Sequence, residues 1–326
     1  MVKYIKYPLD YNVLEEILQK LNKKRVNFFI DLMSIAKGFY NKEILYIEIN
    51  HYIKNRKPSD LLNNELKDYL NDLYRRFKKF DPFFIIFYDN GLNIQNLTLN
   101  PTYKFGRTNL NTILENEEVQ IFKEIKRYYF ETIKTKFEKK DISKIFYLEE
   151  YESDFIPYFC IMNDFFDSQQ NDLMNIILSI DKDLLQTCEF SNTIQCISQF
   201  KADLDSKKFK IHFGVFDNSN AISYFYKNFR QGLLTAEFIP LMLSISGDKS
   251  DAIKGIKGVG YKKSYDLIVS YGLNSDISKW DMNNLPDIIK NNITLIQENY
   301  KLISFKEQIK RMSFFLSKIQ GERVDS

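Results

Sequence analysis

Four short apolar runs in this 326-residue chain end on acids. RVNFFID closes on Asp31, PFFIIFYD on Asp89, KIFYLEEYESD on Glu152 and Asp154, and LMNIILSIDKD on Asp181 and Asp183. Runs this short and apolar nearly throughout read as strands buried on both faces. Amphipathic stretches lie between them: residues 60–80, and residues 117–140, where Phe122, Ile125, Tyr129, Ile133 and Phe137 recur at helical spacing. Buried strands that alternate with helices predict an α/β fold, a mainly parallel central sheet flanked by helices. Parallel strands point their carboxyl ends the same way, so the closing acids gather along one edge, which is where open α/β sheets bind ligands. KKFKIHFGVFD adds a further strand, and from Asn218 onward the pattern is helical with short loops. With no internal repeat and no Pro/Gly/Ser linker, the expected division is residues 1–210, an α/β core, and residues 211–326, a helical region packed on it.

Composition narrows the function classes. A chain that is 44% hydrophobic buries a full core, and 46 basic against 43 acidic residues, net +3, leave recognition of a charged partner to segregation of charge. Cys160, Cys188 and Cys196 form an odd set without CxxC spacing, and only His51 and His212 accompany them, so no zinc constellation is present and a reducing, cytoplasmic setting is expected. The first residues, MVKYIKYPLDYNVLEE, lack an apolar h-region, and no run reaches about 18 apolar residues, so neither export nor a membrane span is expected. The wealth of Lys, Asn, Ile, Tyr and Phe suits an AT-rich coding sequence of a bacterium, plasmid or virus.

Asp31, Asp89, Glu152, Asp154, Asp181 and Asp183 at strand ends, with Asp248 and Asp251 further on, are too many carboxylates for one ion pair. Brought together they repel unless a cation neutralises them. Oxygen donors without His or Cys select hard cations, so Mg²⁺ is the expected ion with Mn²⁺ as substitute, two of them about 3.5 to 4 Å apart if phosphodiesters are hydrolysed. Any single Asp also reads as a strand-end or helix-capping residue; it is the repetition at four strand ends that favours a site.

Asp248 and Asp251 lie in SISGDKSDAIKGIKGVGYKKSYDLI, residues 244–268, where GIKGVG follows a helical segment and so is not a nucleotide fingerprint. It reads as a helix-hairpin-helix turn. Gly255, Gly258 and Gly260 permit a tight turn and close approach to a partner, the N–H groups opening the next helix donate to a phosphate, and Lys257, Lys262 and Lys263 add charge on the same side. An ordinary αα-turn with solvated lysines is the alternative.

FFID (28–31), FYDNG (87–91), PTYKFGR (101–107), YESD (151–154), SIDKDLLQ (179–186) and GDKSDAIKGIKGVGYKKS (247–264) occur in the order found in the 5′ nuclease family. Through them the chain, over roughly residues 26–270, resembles flap endonucleases, the 5′-nuclease domain of bacterial DNA polymerase I and the phage enzymes called RNase H or 5′-exonuclease. The resemblance implies that the eight acids are metal ligands, directly or through water, with Asp183 essential to catalysis. It implies that Lys104 and Arg107 contact the scissile phosphate. It further implies a helical arch over about residues 108–148 that admits a single-stranded 5′ end, and K⁺ at the hairpin. The basic residues of that segment, Lys123, Lys126, Arg127, Lys134, Lys136, Lys139 and Lys140, offer a lining for that passage, although most read as a solvated helix face. The implied activity is that of a metal-dependent flap endonuclease or 5′-3′ exonuclease, acting as a monomer in the cytoplasm, of the host if the source is a virus. Its implied substrates are DNA with a 5′ flap or nick and RNA:DNA hybrids, with a single-strand-binding protein or sliding clamp as partner. The chain departs from the pattern at Phe155, where many members carry another Asp. Two rivals share parts of this reading: a non-cleaving DNA-structure binder on the same fold, against which the full acid set argues, and a PIN-type ribonuclease, against which the hairpin argues.

Overall fold

The computed structural model describes residues 9–36, 38, 58–88, 94–101, 103, 127, 141–146, 152–203, 208–230 and 232–312. Helix α1, Tyr11–Lys20, opens on Asp10, whose carboxylate accepts from the Asn12 and Val13 N–H groups, and it buries Leu14 and Leu18 completely. Strand β1, Arg25–Asp31, follows. Then come α2, Pro58–Phe77, β2, Pro82–Phe87, the short α3, Ile94–Leu99, and β3, Ser143–Phe146. Helix α4, Ile156–Met162, leads to β4, Leu173–Leu178, which passes through a 3₁₀ helix, Lys182–Glu189, to β5, Thr193–Asp203, and β6, Lys208–Phe216.

The sheet order is β3-β2-β1-β4-β5-β6, with β5 and β6 antiparallel and every other neighbouring pair parallel. Both faces are buried, as the apolar runs require. Phe28 and Ile30 of β1 join Ile176 and Leu178 of β4 in a core with α1 and α2, while Phe29 and Ile177 point the other way into a cluster with Phe155, Tyr158 and Phe159 of the α4 region. Phe155, where an acid stands in many 5′ nucleases, is fully buried among Phe29, Ile85 and Phe87. Each of the four acid-terminated runs contains a strand as expected, with Asp89 and residues 147–151 outside the described residues, and β6 is the further strand. Strand β5 is not among the expected strands, because TIQCISQFKAD mixes Gln, Ser and Lys with its apolar residues and so carries no long apolar run.

The remaining helices form a second layer. Helix α5, Ile239–Ser246, is apolar and buried, and it runs into a two-residue hairpin, β7 Gly247–Asp248 and β8 Ile253–Lys254. Helix α6, Tyr261–Tyr271, and α7, Ile293–Ile303, pack on α5, while α8, Phe305–Arg311, packs on α7 and on the α4 region. Gln186 ties this layer to the sheet: its side chain donates to Ile303 O at 3.1 Å and accepts from Phe305 N at 3.2 Å. The expected arch falls almost wholly outside the described residues. Among those residues no helix is long and apolar enough to cross a membrane.

Candidate metal centre

Strand β1 lies between β2 and β4, so the chain reverses its direction of sheet growth beside β1, and the crevice at such a switch point opens at the carboxyl ends of the strands. Asp31 closes β1 and is buried; one of its oxygens accepts from Ser34 N at 3.0 Å, the other from the Ser179 hydroxyl at 2.7 Å. Ser179 follows β4 directly, and its Oγ accepts from Asp181 N at 3.0 Å. Asp181 caps the 3₁₀ helix by accepting from Asp183 N at 2.9 Å. Two strand ends are thus joined by hydrogen bonds through Ser34 and Ser179.

The second group of acids converges on one narrow cleft. Glu152, Asp154, Asp183, Asp248 and Asp251 line it together with Tyr103, Ile253, Leu302, Ile303, Phe305 and Gln308. One carboxylate oxygen each from Asp183, Asp248 and Asp251 lie within 4.8 Å of one another. Glu152, Asp248 and Asp251 are buried. The Tyr103 hydroxyl donates to Glu152 Oε2 at 2.9 Å, which fixes the rotamer of that acid.

Lys182 enters the same cluster. Its ammonium donates to Asp248, to Asp183 Oδ1 at 3.3 Å and to Ser250 Oγ at 3.1 Å. Burial works against the charge, but the fields of Asp183 and Asp248 outweigh it and hold the ammonium pKa above its ordinary value. Burial likewise opposes ionisation of Asp248, yet attraction to Lys182 and hydrogen bonds from Lys182 and Ser250 bring its carboxyl below the usual range. An all-oxygen donor set in which a protein ammonium already stands against two carboxylates fits a hard cation, and the lining offers neither His nor Cys.

The tiny β7–β8 hairpin presents Asp248 and Asp251, and two glycines allow it. Gly247 has φ +78°, and Gly255 lies so close to the preceding turn that an added Cβ would meet the Ser246 carbonyl carbon at 2.1 Å. Asn299, buried on α7, fastens this turn by donating to Ser244 O at 2.9 Å and to Lys254 O at 2.8 Å. Replacing Asn299 by Leu removes both hydrogen bonds and is expected to destabilise the protein by about 1 to 3 kcal/mol. Urea unfolding measures it, and a change below about 0.5 kcal/mol would deny the fastening.

After the hairpin, Ile256 and Val259 are buried, while Lys257, Gly258, Gly260, Lys262 and Lys263 face solvent. Gly258 has φ +76°, and neither it nor Gly260 has an atom within 4 Å of a would-be Cβ. Helix α6 starts at Gly260 without a side-chain cap.

Of the eight expected acids, five line the cleft, Asp31 and Asp181 share the hydrogen-bonded network beside it, and Asp89 lies outside the described residues. Lys104 and Arg107 lie outside them too. Sequence reasoning missed Tyr103, Lys182, Gln186 and Asn299. The first three sit inside motifs already picked out, and Asn299 is a polar residue on the apolar face formed by Ile296, Leu302 and Ile303. It also took nothing from the chain beyond about residue 275, although Leu302, Ile303, Phe305 and Gln308 wall the cleft.

No family model matches the chain. A 5′-3′ exonuclease of Mycoplasma genitalium is 31% identical over 135 residues, a match that spans 41% of this chain and 40% of that protein's length. A bacteriophage T5 flap endonuclease crystallised with DNA and metal ions superposes with a TM-score of 0.58 at 14% identity, covering 87% of this chain and 90% of that one. The T5 5′-exonuclease with bound zinc gives 0.57 at 16% identity, covering 87% and 91%. The fold of the phage enzyme, the sequence match to a 5′-3′ exonuclease and the acid-lined cleft at the strand ends agree with the ordered motifs, and in both sequence and fold this chain resembles the 5′ nucleases.

Proposed function

We propose that this chain is a structure-specific 5′-3′ nuclease that hydrolyses phosphodiesters next to an unpaired 5′ end, using divalent cations held in the acidic cleft. The observation that carries the reading is the convergence of Glu152, Asp154, Asp183, Asp248 and Asp251 on one cleft at the carboxyl edge of the sheet. We assign Mg²⁺ to it, with Mn²⁺ as substitute and Asp31, Asp89 and Asp181 completing the set for two ions. Such cations lower the pKa of bound water and offset charge on the phosphate and the leaving oxygen.

The chain's own residues position and neutralise. Tyr103 and Ser179 fix the rotamers of Glu152 and Asp31 before anything binds, so little reorganisation remains for the reaction. Lys104 and Arg107 are assigned to the phosphate oxygens, where positive charge counts most in the transition state. Lys257, Gly258, Gly260, Lys262 and Lys263, with Gly255 shaping the turn, are assigned to the duplex backbone. The uncapped start of α6 and the open space over Gly258 and Gly260 support this, because free N–H groups and an unobstructed backbone suit a phosphate. K⁺ is assigned to the same turn. We place the division of the chain near residue 210, at the last strand of the sheet, with the arch at about 108–148 and the hairpin at about 244–268. DNA flaps or nicks and RNA:DNA hybrids are the proposed substrates, a single-strand-binding protein or sliding clamp the proposed partner, and a cytoplasmic monomer the working form. The acid cleft and the exposed glycine turn occur together, and they favour this reading over a non-cleaving DNA binder or a PIN-type ribonuclease.

The test is a panel of 5′-labelled flap, nicked, RNA:DNA and single-stranded substrates of one sequence. Products are expected to map to the junction; cleavage indifferent to the junction would contradict the reading. The hairpin has its own prediction. Lys262→Ala/Lys263→Ala should flatten the plot of log affinity against log salt by about two units on a flap, in Ca²⁺, and leave single-strand binding almost unchanged. An unchanged slope would reduce the turn to a structural element.

A further inference from the structure

Lys182 is the residue between Asp181 and Asp183, yet its partner lies 66 residues away on another element. Its side chain is 19% exposed, and the ammonium touches Asp183, Asp248 and Ser250 at once. Asp248 is held from its other side as well, since its Oδ1 accepts from Ser250 N at 2.9 Å and from Ser250 Oγ at 2.5 Å. The oxygens of Asp183 and Asp248 that lie near Asp251 are the natural ligands of a cation, so an ion bound there and the ammonium claim the same two carboxylates.

We propose that Lys182 is a built-in counter-ion that competes with the divalent cation for Asp183 and Asp248, and that it thereby sets the affinity of the site and its preference for divalent over monovalent ions. This rests on the reading of the cluster as a metal site. The preference follows from charge. Exchanging the ammonium for a monovalent ion leaves the charge of the cluster as it was and adds the cost of desolvating the ion, whereas exchanging it for a divalent ion adds one positive charge among closely spaced carboxylates. The same contact joins the loop after β4 to the β7–β8 hairpin, so the ammonium also keeps two ligand-bearing elements together.

The experiment is titration of the full chain with Mn²⁺ alone, read by the free-ion electron paramagnetic resonance signal, for wild type, Lys182→Met and Lys182→Gln. Both neutral variants are expected to bind Mn²⁺ about tenfold more tightly, the equivalent of about 1.4 kcal/mol. Both should also melt at lower temperature without the ion and gain more from it. Adding NaCl beyond an ionic-strength control of tetramethylammonium chloride should weaken Mn²⁺ binding more in the variants than in wild type. Unchanged or weaker Mn²⁺ affinity in the variants, with wild type binding normally, overturns the proposal and leaves the metal reading intact. A lowered melting temperature with no gain in affinity assigns Lys182 a purely structural role and also overturns it. Absence of Mn²⁺ binding in all three proteins overturns the metal reading itself. A variant that unfolds alone is read by the same titration through the circular dichroism of the folding that Mn²⁺ drives, and failure to refold counts against the proposal.

Discussion

Asp183→Asn should lower the cleavage rate on a 5′ flap by about three orders of magnitude or more, equivalent to about 4 kcal/mol of transition-state stabilisation. Asn keeps the size of the side chain and Asp183 N still bonds Asp181, so the fold has no reason to change. What disappears is one of three negative charges whose oxygens lie within 4.8 Å of one another. Binding to the flap should persist, because the exposed hairpin lysines proposed to grip the backbone keep their charge in this variant. Single-turnover rates and flap affinity in Ca²⁺ separate the two effects. A variant that cuts within tenfold of wild type would remove Asp183 from the ligand set.

The second large effect belongs to Gly255. A methyl group there meets the carbonyl carbon of Ser246 at 2.1 Å, its oxygen at 2.2 Å and Gly247 N at 2.3 Å, all backbone atoms that no rotamer change can move aside. Gly255→Ala must pry the β7–β8 hairpin from the end of α5, and it should cost about 3 kcal/mol or more in urea unfolding. It should also disturb the proposed metal site, since Asp248 and Asp251 ride on that hairpin. Gly258→Ala makes the contrast. It meets nothing within 4 Å and pays only for its left-handed φ of +76°, about 1 to 2 kcal/mol. Gly260, at φ −99°, should accept Ala with little loss of stability. Equal losses at Gly255 and Gly260 would contradict the close-packed account of the hairpin.

These three glycines illustrate how far the sequence was legible. Their spacing marked a turn, but it could not separate a glycine needed for backbone approach within the chain from one left open at the surface, because that depends on what the fold brings alongside. The strand-end acids were legible for the opposite reason. Burial on both faces writes a continuous apolar run into the sequence, and Asp31, Asp181 and Asp183 stand at the end of one, where the carboxyl edge must be. The partly polar β5 carries no such run. Helix α1 gave no functional motif, yet Leu14 and Leu18 are fully buried beneath the sheet. Lys182 and Asn299 act through partners 66 and 55 residues away, a separation that local spacing cannot encode.

If acids drawn from distant parts of the chain form one metal-dependent catalytic centre, cleavage must stop when the metal is removed. The rate of cleavage of a 5′-labelled flap by wild type is measured in Mg²⁺, in EDTA, and in EDTA followed by excess Mg²⁺. We expect junction-proximal cleavage in Mg²⁺, none in EDTA, and recovery when Mg²⁺ is restored. Cleavage that persists in EDTA at the Mg²⁺ rate would contradict a metal-dependent centre.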